Sequence, residues 1–520
     1  RLHPEPPDHD GPVLHPKLHQ LDGRYRLVRS SNGWFLSRDF SPNAVENGGR
    51  RDFSDVEDWR GNIKVGITPN DTDEYVVSYT RQEGEKNAPY AINQGVIGRT
   101  PSKIFGIGTD WQRNWTWPQW DIGSLSFNSN TAIGEDSYVK VKAFYNTFDN
   151  LLSSYDDSTF TTQQEKRAFD SYYDDHAYGL SVEAGTEFES NSLKAALHYR
   201  RDSHTEWNDN RPDHPTSRLL EPRQTQVEDG LAFALENTYH ITDTLDLVAG
   251  ASYEKTTLKR AEEYDKNTSA VFSYPLGGSD SLNWQTAAIW RPTAVTELHA
   301  SVSSRTRFPN MFERFSTRFD TALPNPDLGP ERAVNFEVGG ETELTDTWRG
   351  SGALFYSDVK DVIQSVGVNA TTGQNQNVGD GRYYGFELTT EWDATEELTV
   401  GGNYTYLKRE ITDALLPNLR STGVPEHLFF AHATWNPTEK LSVTGSLEAS
   451  SSRWSDNPVK NGPYIETGGF ALANLNFEYK FTEAHSASFG VRNLFDRNYE
   501  LVTGFPEAGR TFYLNARATF

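Results

Sequence analysis

The stretch "ALANLNFEYKF", residues 471–481, reads differently on its two parities. Ala471, Ala473, Leu475, Phe477, Tyr479 and Phe481 fall on one face of an extended chain, with Asn474, Asn476, Glu478 and Lys480 on the other. An apolar face opposite a polar one at period two is the mark of a strand that separates two environments. The pattern recurs on either side of this stretch. "LSVTGSLEA", 441–449, aligns Leu441, Val443, Gly445, Leu447 and Ala449, and "LTVGGNYTY", 398–406, aligns Leu398, Val400, Gly402, Tyr404 and Tyr406. The last ten residues, "TFYLNARATF", set Phe512, Leu514, Ala516, Ala518 and Phe520 against Tyr513, Asn515, Arg517 and Thr519. Recurrence of this unit from about residue 57 onward implies one continuous antiparallel sheet.

The connections come in two lengths. Short ones include "TPNDTD" at 68–73, "ITDT" at 241–244, "LTDT" at 344–347, "DATEE" at 393–397 and "NPTEK" at 436–440, while long ones occupy about 84–115, 153–172, 205–226, 260–280, 308–330 and 455–466. Short turns on one rim and long loops on the other are the asymmetry of an outer-membrane barrel. The expected fold is all-β: a large antiparallel transmembrane β-barrel of about 20 to 22 strands, with short periplasmic turns and long extracellular loops. A β-propeller or solenoid also has many short strands, but it would repeat a motif at fixed period, and none repeats here.

Composition agrees. The 520 residues carry a net charge of −24 and no cysteine, and the mean hydropathy is −0.69. No run of about 18 apolar residues exists, so no transmembrane helix is expected, whereas a barrel strand needs apolar residues only at alternate positions. A hydrophilic chain can therefore present a continuous apolar band, its polar face turned to water in the lumen. The acidic balance argues against a nucleic-acid partner, which demands clustered Lys and Arg. Without cysteine there are no disulfides and no thiolate metal sites. The chain opens at Arg1 without Met or an apolar leader, which reads as a processed form, an expression product or a fragment.

Four stretches are more specific. "FGVRNLFDRNYE", 489–500, followed by "GFPEAGRTFYLNARATF", 504–520, resembles the closing hairpin of TonB-dependent outer-membrane receptors. "RTRFPNMFERF", 305–315, running into "NPDLGPERAVNFEVGGE", 325–341, is similar to the same family, as are "NVGDGRYYGFELTTEW", 377–392, and "VPEHLFFAHATWNPTEKLSV", 424–443. The resemblance covers about residues 57–520. Locally, Pro326 and Pro330 stiffen a loop, Gly329 is expected to supply a positive φ, Glu331 starts a strand, and Asn493 and Asp496 cap a turn beside Leu494 and Phe495.

The family resemblance implies uptake of a scarce solute such as a ferric siderophore, cobalamin or haem. It also implies a plug domain that couples the barrel to an energy-transducing partner. The first convincing strand begins near Gly23, which divides the chain into an irregular Pro/His-rich segment, 1–22, and a barrel, 23–520. Neither plug nor coupling box can be placed in 1–22. The expected function is a receptor or transporter barrel apparently without its plug. The alternatives are a plugless scaffold or anchor in a larger outer-membrane complex, and a passive diffusion pore. Expected partners are outer-membrane lipid and lipopolysaccharide, the barrel-assembly machinery and a separate plug or complex protein. No cofactor is expected, and without a nucleophile elbow, a His-Glu-x-x-His helix or a phosphate loop the chain does not read as an enzyme.

Candidate sites follow from residue type. His3, His9, His15 and His19, interleaved with Asp8 and Asp10, have donors for a divalent metal, although the prolines among them equally describe a linker. In "WQRNWTWPQW", 111–120, Trp111, Trp115 and Trp117, with Trp120, form either an aromatic platform for a planar ligand or part of the interfacial girdle. Both parities are used, so not all of them can face lipid. Arg305, Arg307 and Arg314, with Arg318, are placed to attract an anionic chelate or to pair with lumenal acids. Asp156, Asp157, Asp170, Asp174 and Asp175 are placed to bind Ca²⁺ or to be a solvated loop. In the family a terminal aromatic belongs to the assembly signal, which carries over to Phe520 with Phe512 and Leu514 on the same face.

Overall fold

The computed structural model describes residues 17–31, 33–43, 45–92, 113–319, 321–369, 372–456 and 463–519, with backbone alone for 17–31. Among these residues the chain builds a 22-stranded antiparallel sheet, two of whose members, Leu219–Leu220 and Ala270–Ser273, are short additions at hairpin ends. Twenty strands therefore run its length, from Lys17–Ser31 to Thr511–Ala518. The first strand begins six residues before the expected boundary at Gly23, because Lys17, Leu18 and His19 already ladder with Thr68, Ile67 and Gly66. Each long strand pairs with its sequence neighbours, for instance Phe169–Glu187 with Ser137–Ser154 on one side and Asn191–Asn210 on the other.

Alternation decides the two faces. Leu125, Tyr145, Leu180, Leu197, Phe233, Leu282, Phe336, Leu354, Leu388, Leu447 and Phe489 are all exposed on the outer face. So much contiguous apolar surface is not tolerated in water and needs lipid to cover it. The inward parity is polar: His299 Nε2 lies 3.0 Å from Glu337, Gln285 donates to Glu236 at 2.6 Å, and Arg291 donates to Asp246 at 2.6 Å.

The short-turn rim repeats one device. Thr395 Oγ1 accepts from the N–H groups of Glu397 and Leu398, Thr438 Oγ1 from those of Lys440 and Leu441, and Thr482 Oγ1 from those of Ala484 and His485. A hydroxyl that satisfies the turn's own donors lets two strands reverse within a few residues. At this rim Trp348, Trp392, Trp435 and Tyr479 face outward, while Tyr145, Tyr178, Tyr253 and Tyr356 face outward nearer the other end. These two levels bound the apolar band.

The sheet's ends meet through loops. The last strand ladders with His485–Arg492 and the first with Val56–Thr68; among the described residues no ladder joins last to first. Instead Gly509 N donates to Phe35 O at 2.8 Å, Ile92 N donates to Gly504 O at 2.9 Å, and Arg38 N and Nε each donate to Asp496 at 3.2 Å. Among the described residues the two ends of the sheet are thus brought together through the 33–55 and 493–510 connections. Asn493 and Asp496 do cap this turn, both at positive φ (50° and 60°). Gly329 does not supply a positive φ. Its role is close approach: its N–H donates to Asn377 Oδ1 at 2.8 Å and its carbonyl accepts from Asn377 Nδ2 at 3.0 Å.

Candidate functional site

The strand Trp115–Ile133 carries a register shift between Thr116 and Gln119. A bulge inserts one residue and flips the parity beyond it. Trp115 before the shift, Trp117 within it and opposite Lys86, and Trp120 after it therefore share the inner face, which removes the parity conflict in the sequence. Their rings meet edge to face, Trp115 with Trp117 at 6.3 Å and Trp117 with Trp120 at 6.4 Å between centroids. Trp120 packs on Phe148 at 5.0 Å and Trp115 on Phe169 at 6.5 Å. Lys86 Nζ lies 3.5 Å above the Trp120 ring, and the Arg113 guanidinium 4.7 Å from Trp115. These residues form an aromatic shelf on the inner wall at the long-loop rim. The Trp115 Nε1–H is buried without a partner. Trp111 lies outside the described residues.

A strap comes to this shelf from the far wall. Residues 308–330 leave the strand Thr296–Arg307, make the short helix α1, Met311–Phe315, and return in the strand Glu331–Thr345. A capping box starts α1: Asn310 Oδ1 accepts from Glu313 N at 2.8 Å, and Glu313 Oε2 accepts from Asn310 N at 3.0 Å. Phe315 is 1% exposed, clustered with Leu258 and Ala261, and its ring stacks on Tyr274 at 5.4 Å. Beyond α1, Ala322–Leu323 adds in parallel to the hairpin formed by Ile363–Gly367 and Gly373–Asn377, so two long loops become one body. At its tip Phe319 stacks on Phe169 at 4.8 Å and meets Trp115 at 5.6 Å. Arg318 and Phe319 hold φ of 45° and 55°. Two successive non-glycine residues in the left-handed region are costly, so the docking of Phe319 is held against local backbone strain.

The arginines singled out in the sequence build this strap. Arg307 donates to Glu331 at 2.7 Å and to Glu313 at 3.0 Å, which ties both ends of the segment. Arg314 is ion-paired with Glu228 on the strand Gln224–Thr242, and Arg305 donates to Gln285 on the neighbouring strand. Arg318 lies 5.3 Å from the Phe312 ring. The inward Arg307 and Arg314 are thus committed to carboxylates rather than left open to a ligand.

The acidic loop is consumed in the same way. Asp156 accepts from the N–H groups of Gln164 and Glu165, Asp170 from Ser153 and Gln163, and Asp174 from Arg223. The Asp157 carboxyl is held below its usual range by the Thr159 hydroxyl and N–H. Nearby, burial pushes the Tyr90 phenol up to about 12, with the charges of Asp157 and Asp52 adding to it. Among the described residues no group of three or more His, Asp or Glu is arranged to hold a metal ion. His3, His9 and His15 lie outside the described residues; His19 sits in the first strand, where only its backbone is described. Phe512 and Leu514 face outward, and Phe512 stacks on Phe489 at 6.3 Å; Phe520 lies outside the described residues.

Sequence reasoning missed Phe319, Phe169 and Phe148. Phe148 and Phe169 reach the tryptophans from the neighbouring strands, a meeting set by register, whereas Phe319 arrives on a loop from elsewhere in the sheet, which nothing local marks.

A family model described as "TonB dependent receptor-like, beta-barrel" matches residues 19–494. The chain belongs to that family. As a TonB-dependent receptor barrel it resides in the outer membrane. It is 24% identical over 333 residues to the iron-regulated outer membrane virulence protein of Vibrio cholerae, an alignment covering 59% of this chain and 49% of the relative. The chain thus spans about half the length of the curated relatives it matches. Among solved structures, the copper transporter OprC superposes with a TM-score of 0.75 at 17% identity, over 94% of this chain and 74% of that one. The FrpB iron transporter of Neisseria meningitidis gives 0.73 at 16% identity, over 95% and 76%. The siderophore receptor PiuA of Acinetobacter baumannii gives 0.70 at 14% identity, over 95% and 76%. These likenesses establish the fold.

Proposed function

We propose that this barrel belongs to an uptake receptor that captures a ferric chelate with planar, conjugated donor groups at the long-loop rim. The observation that carries the reading is the inward aromatic shelf of Trp115, Trp117, Trp120, Phe148 and Phe169, capped by Phe319. Planar rings stack on such a surface, and the edge-to-face tryptophans leave faces for them. The names of several relatives, which speak of iron regulation, iron transport and siderophores, support iron over other solutes. The copper transporter among the neighbours supports the barrel and not the metal: Cu(I) favours thiolate and thioether donors, and this sequence has no Cys and one Met. Because Arg307 and Arg314 are spent on carboxylates, the affinity comes from stacking on the shelf, with Lys86 and Arg113 at its edge as the cations nearest the ligand. Phe319 must leave the shelf for the ligand to enter.

The test is a tryptophan-fluorescence titration of the folded chain in detergent with a ferric tris-catecholate chelate. The reading expects saturable quenching that weakens at least about tenfold in Trp120→Ala. Equal affinity in wild type and variant would refute it.

A further inference from the structure

We infer that Lys86 sets the charge class of the ligand: it covers the stacking face of Trp120 and gives that face up only to a planar group bearing negative charge. Given that the shelf receives the ligand, as proposed above, whatever covers its rings must first move aside. Phe319 covers one end, on Trp115 and Phe169. The other end is covered by the chain's own ammonium group, since Lys86 Nζ stands 3.5 Å from the Trp120 centroid and 4.8 Å from that of Trp117. A flat ligand cannot stack there while the ammonium holds the ring.

The sheet builds this position. Lys86 lies near the rim end of the strand Glu74–Asn87, opposite Trp117 on one side and Val56 on the other, and a register shift between Gln82 and Lys86 sets it at the level of the tryptophans. It is half-buried and forms no ion pair among the described residues. The acids around it are turned elsewhere. Glu83 accepts from Arg81 and from the Trp59 indole, at 3.1 Å in each case, and Asp55 accepts from Asn87 Nδ2 at 2.6 Å. Glu85 falls on the outward parity opposite Glu57, and Asp58, opposite Gly84 on the inner face, makes no ion pair with it. An ammonium whose partners are ring faces is held by a modest attraction that a full negative charge exceeds.

Charge is spread unevenly across the shelf. At its rim end the Arg113 guanidinium also rests on a ring, that of Trp115, without a carboxylate among the described residues. At the other side Phe148 stands opposite Asp175 in the register, and Asp175 and Glu206 flank one imidazole, His204, at 2.6 and 3.6 Å. Lys86 and Asp175 are three strands apart, about 14 Å at the usual spacing. A negatively charged ligand is drawn toward Lys86 and repelled from Asp175 and Glu206, which fixes how it lies on the rings. For such a ligand Lys86 exchanges a ring face for an ion pair. For an uncharged planar ligand it loses the ring and gains nothing. Discrimination therefore comes from what Lys86 must give up as much as from what the shelf offers.

The experiment is calorimetric titration of the folded chain in detergent with two ferric chelates of like geometry: a tris-catecholate, which is trianionic, and a tris-hydroxypyridinone, which is uncharged and has equally planar donor rings. Wild type should bind the trianion at least about tenfold more tightly than the uncharged chelate. In Lys86→Met the trianion should weaken about tenfold while the uncharged chelate binds about two- to fivefold more tightly, because the Trp120 face is open to it. Lys86→Arg should keep the wild-type order. The wild-type preference should narrow as ionic strength rises from about 0.1 to 1 M, which shortens the Debye length from about 10 to about 3 Å. Equal affinity of wild type for both chelates, a preference unchanged by salt or by Lys86→Met, or equal weakening of both chelates in that variant would each overturn the role of Lys86 and leave the shelf standing. Binding of neither chelate to wild type would overturn the shelf as the ligand's site and this role with it. Heat-modifiable migration on gels confirms that each variant has folded.

Discussion

The arginines at the long-loop rim divide by the face they occupy. On the inner face, Arg307 and Arg314 are locked onto Glu331, Glu313 and Glu228, and the product is a strap across the mouth. On the outer face, Arg332 and Arg382 sit on nearby strands and have no carboxylate partner among the described residues. Arg38 is intermediate: its side chain is 79% exposed, yet its Nε reaches Asp496 at the meeting of the sheet's ends. The same residue type thus serves architecture on the inner face, where the fold fixes its carboxylate partners, and is left without one on the outer face among the described residues. An exposed ion pair contributes little, whereas a half-dehydrated one whose partner is removed leaves a costly charge behind.

This difference can be broken from the inside first. Arg314→Ala leaves Glu228 uncompensated and α1 without its anchor, which should cost about 3 kcal/mol locally. Hydrogen exchange of residues 311–323 should accelerate strongly, while the long strands stay protected. Unchanged exchange there would mean that the strap does not depend on its inward arginine.

A smaller effect is expected at the seam. Asp496→Ala removes the acceptor for the N–H groups of Arg38 and Arg510 and should cost about 1 to 3 kcal/mol in the 493–510 connection. Burial works against the Asp496 charge, but the N–H groups of Arg510 and Arg38 with the Arg38 guanidinium outweigh it and hold the carboxyl below its ordinary 3.8. A carboxyl depressed in the folded state contributes stability that is present above its unfolded value and is lost as pH falls through the folded one. Glu500 and Glu507 in the same connection are pushed up by burial, so acid relieves their penalty instead. Amide exchange at Arg38 and Arg510 should rise below about pH 4 in wild type and be pH-insensitive, though faster throughout, in Asp496→Ala.

The aromatic latch should be weaker than either. Phe319→Ala forfeits two ring contacts of about 0.5 to 1.5 kcal/mol each, offset in large part by relief of the strained backbone. Acrylamide should quench the shelf tryptophans more efficiently in this variant, with α1 still protected. Smallest of all, R332A/R382A should leave strap exchange and heat resistance unchanged, because no described residue forms an ion pair with those guanidiniums. A loss of stability there would erase the distinction between the faces.

The barrel was legible because alternation is a local property. "ALANLNFEYKF" exposes its two environments within eleven letters, and its register falls where the pattern puts it, Phe477 opposite Phe489 and Val443. The site was legible only in part. The tryptophans announced themselves, but their common face depends on a bulge that their spacing alone does not reveal. Arg307 and Arg314 were visible, but whether they meet a ligand or Glu228, 86 positions from Arg314, is decided by the crossing of a loop. Gly329 shows the limit from another side: in sequence a glycine between prolines reads as a turn, whereas here it makes room for Asn377.

The central claim is that the tryptophans of 115–120 face water in the mouth and receive the ligand there, and the absence of native cysteine offers a direct measurement. Single cysteines at Trp120 on the inner face and at Leu125 and Tyr145 on the outer face can be labelled with a membrane-impermeant maleimide, with and without a ferric tris-catecholate chelate. The account predicts rapid labelling at Trp120→Cys that the chelate suppresses, and negligible labelling at Leu125→Cys and Tyr145→Cys in either condition. Labelling of the outer positions with protection of position 120 from the reagent in the absence of chelate would contradict it.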